Sequence, residues 1–169
     1  MKWILSLIIL PLVILLVWGA KVDHPIFNSL FRNPDIVEIA KVTRFEKNKW
    51  YEFNVSIKAF NRNQDITVAF EGSQPDKLNS ITRGGDENYR GSETVFYSSS
   101  FPGKEIKFDV LAFDANNDEY MFEADGQSGG IIFGNQGEPL IGKVINKIKI
   151  KSNITHKNVQ VTWISYAGK

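Results

Sequence analysis

Beyond residue 36, apolar side chains recur at every second position and show no helical period, so the chain must be built from strands. The clearest run is 49–60, where Tyr51, Phe53, Val55, Ile57 and Ala59 share one face and Glu52, Asn54, Ser56 and Lys58 the other. That pattern suits a pleated strand with one side on a core and one in water. Similar segments cover 36–45, 65–71, 93–100, 104–113, 119–124, 131–133, 143–152 and 158–166, joined by polar or glycine-rich turns. The expected fold is all-β: an antiparallel β-sandwich or flattened barrel of about eight or nine strands, without crossover helices. Glu46-Lys47-Asn48 reads as a turn, which predicts a hairpin of 36–45 with 49–60, extended by 65–71 into one antiparallel unit. Residues 72–92 hold four glycines and a proline and break the rhythm. They are expected to form a long surface loop, with one short turn near 78–81, and are a candidate for recognition.

A second feature governs location. Residues 3–20 carry no charge and contain one strongly polar side chain, Ser6. As a helix they rise about 27 Å, near the thickness of a bilayer's hydrocarbon core. Trp3 and Trp18 fall at the two ends, where amphipathic rings suit the interface, and Pro11 lies in the middle. The organisation that follows is a transmembrane signal-anchor helix over 1–21, a juxtamembrane linker over 22–35, and a β domain over 36–169. In the linker, Ile26, Phe27, Leu30 and Phe31 have the spacing of a short amphipathic helix. Lys2 and the free amino group favour a cytoplasmic start, which makes the chain a single-pass inner-membrane protein with a periplasmic or extracellular domain. Cleavage would make it secreted, although Trp18 stands where a signal peptidase site wants a small residue.

Composition excludes several functions. Outside Lys2 and Lys21 the chain has eighteen basic and nineteen acidic residues, a formal charge of −1, so no net field draws nucleic acid. Cysteine is absent, which removes thiol nucleophiles, thiol redox chemistry and thiolate metal sites. The glycines at 126, 129, 130, 134 and 137 precede a strand, not a helix N-terminus, so they read as turns and not as a phosphate cradle.

Asp109, Asp114, Asn116, Asp118 and Asp125 cluster around one expected hairpin, and their alternating oxygen donors make them the candidate calcium site, with Glu119 alongside. The competing account is turn chemistry, in which Asp and Asn bond their own backbone. Lys147, Lys149 and Lys151 share a strand face beside Lys143 and Lys157. Such a stripe suits anionic lipid, or a solvated face that guards a sheet edge. Hydrolysis would have to use His24 or His156, the hydroxyls of Ser98, Ser99 and Ser100, or a carboxylate pair from Asp109, Asp114, Glu119, Glu123 and Asp125. None of these forms a recognisable catalytic set. Trp50, Phe60, Phe96 and Tyr97 fit the alternation poorly and are candidate interface anchors.

The expectation is therefore a non-enzymatic, membrane-tethered protein-binding module outside the cytoplasm. It would serve as an accessory component of an envelope complex or as an immunity-type inhibitor of a toxin. A calcium- or lipid-binding sandwich and a small envelope hydrolase are the alternatives.

Overall fold

The structure is a computed structural model that describes residues 35–59, 64–83, 93–135 and 140–165. The expected membrane helix, the short helix over 26–31, Phe60 and His24 all lie outside the described residues. Among the described residues there is no helix. The strands are β1 (Asp35–Phe45), β2 (Trp50–Lys58), β3 (Gln64–Ala69), β4 (Leu78–Arg83), β5 (Glu93–Ser98), β6 (Glu105–Ile106), β7 (Phe108–Asp114), β8 (Glu119–Gln127), β9 (Ile131–Asn135), β10 (Val144–Ser152) and β11 (His156–Ser165). Eight of them form one antiparallel sheet in the order β1-β11-β3-β9-β8-β7-β10-β2, and β4-β5-β6 form a second, smaller sheet. The large sheet is nearly closed into a barrel, which settles the expected all-β antiparallel architecture on its barrel side.

Alternation explains the core directly. Ile66 and Val68 of β3, Val110 and Ala112 of β7, Ile148 and Ile150 of β10, and Val159, Val161 and Trp163 of β11 all point inward and are buried. Trp163 is fully covered, and its indole N–H donates to Gln64 Oε1 at 2.8 Å, so the largest core side chain leaves no polar atom unpaired. Gly130 has to be glycine, because a Cβ there would stand 2.7 Å from the Val68 carbonyl oxygen.

The expected 36–71 unit does not form. The turn at Glu46–Lys49 is made, with Asn48 at φ 59° and the Lys49 N–H bonded to the Glu46 carbonyl at 3.3 Å. Its two arms then part: β1 ladders to β11, β2 to β10, and β3 lies between β11 and β9. Aromatic wedging at the corner gives the physical reason. The Tyr51 ring sits edge-on to Phe45 at 3.9 Å, and its hydroxyl donates to the Arg44 carbonyl and accepts from the Glu46 N–H. The Asn48 N–H bonds the Ser152 carbonyl at 2.7 Å, tying the turn to the end of β10. The turn thus joins the two edges of the barrel across an open seam.

Two further expectations change. Of the expected loop, 72–77 make turns and 78–83 form β4, with Leu78 buried; 84–92 lie outside the described residues. The strand expected over 104–113 breaks at Lys107, where β6 pairs with β5 and β7 with β10 and β8.

Candidate functional site

That break opens a concavity. β7 pairs with β8 through Val110↔Phe122, while β6, one residue before β7, pairs with β5 through Ile106↔Phe96. From Ala124 on, β8 ladders only to β9, with a bulge between Ala124 and Gly126. The small sheet therefore diverges from the large one between β5 and β8, and a groove of about 530 Å³ opens at this fork, within the size range of ligand sites. Its floor is apolar, with Phe96, Ile106, Phe122 and Phe133, all buried. Its rim carries Asp109, Glu119, Met121 and Glu123, with Trp50 at one side.

The rim is set by the outer rows of β2, β10, β7 and β8. Register places Trp50 beside Lys151 and Asp109, Glu52 beside Lys149, Leu111 and Met121, and Asn54 beside Lys147, Phe113 and Glu119. All three lysines of the expected stripe are engaged within the fold. Lys151 binds Asp109 at 2.7 Å and lies 4.7 Å from the Trp50 ring, while Lys149 and Lys147 reach Glu52 at 3.1 and 3.7 Å. Both also lie over Phe113. Glu52 is held below the usual carboxylate range, chiefly by the Lys149 hydrogen bond. Glu119 and Glu123 are different: both are exposed, and among the described residues neither has an ion-pair partner. Met121 projects between them, 58% exposed. The rim thus sets the exposed Met121 beside unneutralised negative charge, over a buried apolar interior.

The expected calcium ligands do not converge. Asp109 faces outward onto Lys151, whereas Asp114, five residues along the same strand, faces inward and is 2% exposed. Asp114 is the organiser of a turn. Its Oδ1 accepts the N–H groups of Asn116 and Asp118 at 2.9 and 3.0 Å, and its Oδ2 accepts from the Tyr120 hydroxyl at 3.2 Å and Lys143 at 3.3 Å. Burial pushes this carboxyl up. The donors from Asp118, Asn116, Lys143 and Tyr120 outweigh it and hold the group below the usual range. Asp118 lies 3.6 Å from Lys143, Asn116 is exposed, and Asp125 sits at the β8 bulge, facing Gly134. Among the described residues no three acidic or histidine side chains are placed to share a metal.

His156, whose polar neighbours Thr155 and Lys157 suggest a turn, instead starts β11 fully buried, stacked 4.9 Å from Phe108 and within 4.3 and 5.4 Å of Phe70 and Phe101. Its Nε2 lies 2.8 Å from Ser152 Oγ. That hydroxyl also meets the Lys107 carbonyl and the Ile154 N–H, both at 3.3 Å, which fits an imidazole protonated on Nε2. Nδ1 is buried without a partner, and desolvation lowers the pKa to about 4. A serine–histidine pair this deep has neither a carboxylate on Nδ1 nor an approach for substrate, so it lacks what a nucleophile requires. Sequence reasoning missed it because the surrounding phenylalanines come from distant segments.

The remaining candidates are structural or separate. Ser98 Oγ donates to the Gly72 carbonyl at 2.7 Å, Phe96 is core, and Tyr97 bonds Glu105 on the small sheet. Trp50 is 42% exposed and, of the three expected anchors among the described residues, is the one that reaches the groove rim from the large sheet. No protein-family model matches this chain, and no curated protein matches it.

Proposed function

We propose that this chain is a membrane-tethered, extracytoplasmic protein-binding module, and that the fork between β5 and β8 is its recognition groove. The apolar run over 3–20 supports the tether. One observation carries the binding reading: Met121 stands exposed between unpaired Glu119 and Glu123, above an apolar floor. Such a groove suits a partner segment that offers one large apolar side chain flanked by lysine or arginine. Tethering raises local concentration at the membrane, so a modest affinity is enough.

A photo-crosslinking residue at position 121, in intact membranes, should capture a discrete partner. The same residue at exposed position 71, beside β11 on another side of the barrel, should not. Glu119→Lys with Glu123→Lys should reduce the adduct at least about tenfold. Equal labelling from both positions, or an adduct indifferent to the charge reversal, would retire the groove.

A further inference from the structure

We propose that β1 is a dimerisation edge, on which a second copy of this chain lays its own β1 antiparallel, with Glu38 opposite Lys41 and Val37 opposite Val42 across a two-fold axis. β1 is a terminal strand of the large sheet; β2 approaches it near the turn, where the Tyr51 hydroxyl donates to the Arg44 carbonyl, and among the described residues nothing ladders to its outer side. An unpaired row of backbone N–H and C=O groups is a template for another strand. Its leading end also leaves apolar surface in water, with Ile36 64% and Val37 41% exposed.

The occupant follows from the sequence of the edge itself. DIVEIAKVTR, residues 35–44, places acids in its first half and bases at the mirrored positions of its second. Turned about a two-fold axis between residues 39 and 40, Glu38 meets Lys41, and that contact occurs twice. Charges that serve only to keep an edge single would repel a second copy, which requires like signs at mirrored positions. Here Glu38 and Lys41, the mirrored pair that meets, have opposite signs.

Backbone geometry supplies the second observation. Residues opposed across an antiparallel pair share a face, yet in a regular strand positions five apart, such as 37 and 42, lie on opposite faces. The β1 bulge between Glu38 and Ala40 removes that conflict. Val37, Ala40 and Val42 all pair with inward residues of β11, namely Trp163, Val161 and Val159, while Glu38 and Lys41 pair with Thr162 and Gln160. Each copy spends the same two residues, Ile39 and Ala40, across the axis, so bulge faces bulge and neither strand falls out of step. Within one chain Glu38 already meets Lys41 at 2.8 Å and accepts from Gln160 at 2.9 Å. A carboxylate has room for a further donor from the opposing copy.

The test uses the full chain in detergent and rests on its lack of cysteine. Val37→Cys with Val42→Cys, mildly oxidised, should give a disulfide-linked dimer on a non-reducing gel. Either single variant should give none, because like positions lie at opposite ends of the paired strands. Within one chain the two sites are about 16 Å apart, too far to bridge. In sedimentation equilibrium, Glu38→Lys or Lys41→Glu alone should weaken the dimer at least about tenfold, and the two together should restore it to within about threefold. Both side chains are exposed, so the variants keep the fold, and unchanged melting checks this. A monomeric wild type, a dimer indifferent to these charges, or crosslinking by the single-cysteine variants would overturn the proposal.

Discussion

At one end of the barrel His156 is wedged among Phe70, Phe101 and Phe108 with one ring nitrogen unpartnered, while at the other Asp114 receives four donors on its two oxygens. Both groups are buried and ionisable, and their surroundings drive them to opposite charge states. The histidine end is apolar and keeps the imidazole neutral. The aspartate end is polar enough to keep the carboxylate charged, and with Tyr120 it holds the Lys143 ammonium above its ordinary range. Burial alone does not decide a charge state; the number of donors that follow the group inward does. The sharpest ways to test this contrast remove a donor network at one end or a titrating ring at the other.

The largest effect is expected from Asp114→Ala. It strips an acceptor from two turn N–H groups, from the Tyr120 hydroxyl and from Lys143, which otherwise has Asp118 at 3.6 Å. Lost acceptors at a covered site cost more than the bonds themselves were worth. Thermal unfolding should show a Tm lower by about 10 °C. A fall of only one or two degrees would mean that the turn forms without its organiser.

Next comes the pH response of the histidine end. The folded pKa near 4 lies below the ordinary value of 6.5, so between these limits the unfolded chain binds the extra proton. This contribution is complete above pH 6.5 and is lost as pH falls toward 4, up to about 3 kcal/mol. His156→Phe keeps the aromatic packing and leaves Ser152 bonded to the Lys107 carbonyl and Ile154 N–H. Denaturant unfolding of this variant should lose most of the pH slope in that window. Asp114, with its lowered pKa, loses its own contribution at lower pH, below the ordinary carboxylate value of 3.8. The two ends should therefore fail in separate pH ranges, histidine first.

The sequence disclosed faces far better than partners. Alternation identified the strand character of 49–60 and 143–152, and it could have separated Asp109 from Asp114, since a spacing of five puts them on opposite sides of a strand. Pairing was another matter. The Glu46–Lys49 turn is local and was legible, but which strands ladder depends on Phe45 and Tyr51 meeting at the corner and on β10 and β11 arriving from more than eighty residues away. The groove was hidden for the same reason: nothing local in the run 104–113 shows that β6 and β7 take different neighbours. His156 looked polar because Thr155 and Lys157 flank it, and its three phenylalanines lie elsewhere in the chain. The lysine stripe was visible, whereas the carboxylates that neutralise it belong to β2 and β7.

The smallest expected effect tests the aspartate end most finely. Tyr120→Phe removes one hydroxyl donor from Asp114 Oδ2 and leaves the ring, 8% exposed, in its place. The carboxylate keeps Lys143 and both turn N–H groups, so the turn should persist and Tm should fall by only about 3 °C. The Asp114 pKa should nevertheless rise toward its ordinary value, because one of the donors opposing desolvation is gone. Carboxyl NMR titration reads that shift independently of stability. An unmoved pKa with a normal Tm would mean that the backbone N–H groups and Lys143 suffice to keep the carboxylate charged, narrowing the contrast between the two ends to the turn itself.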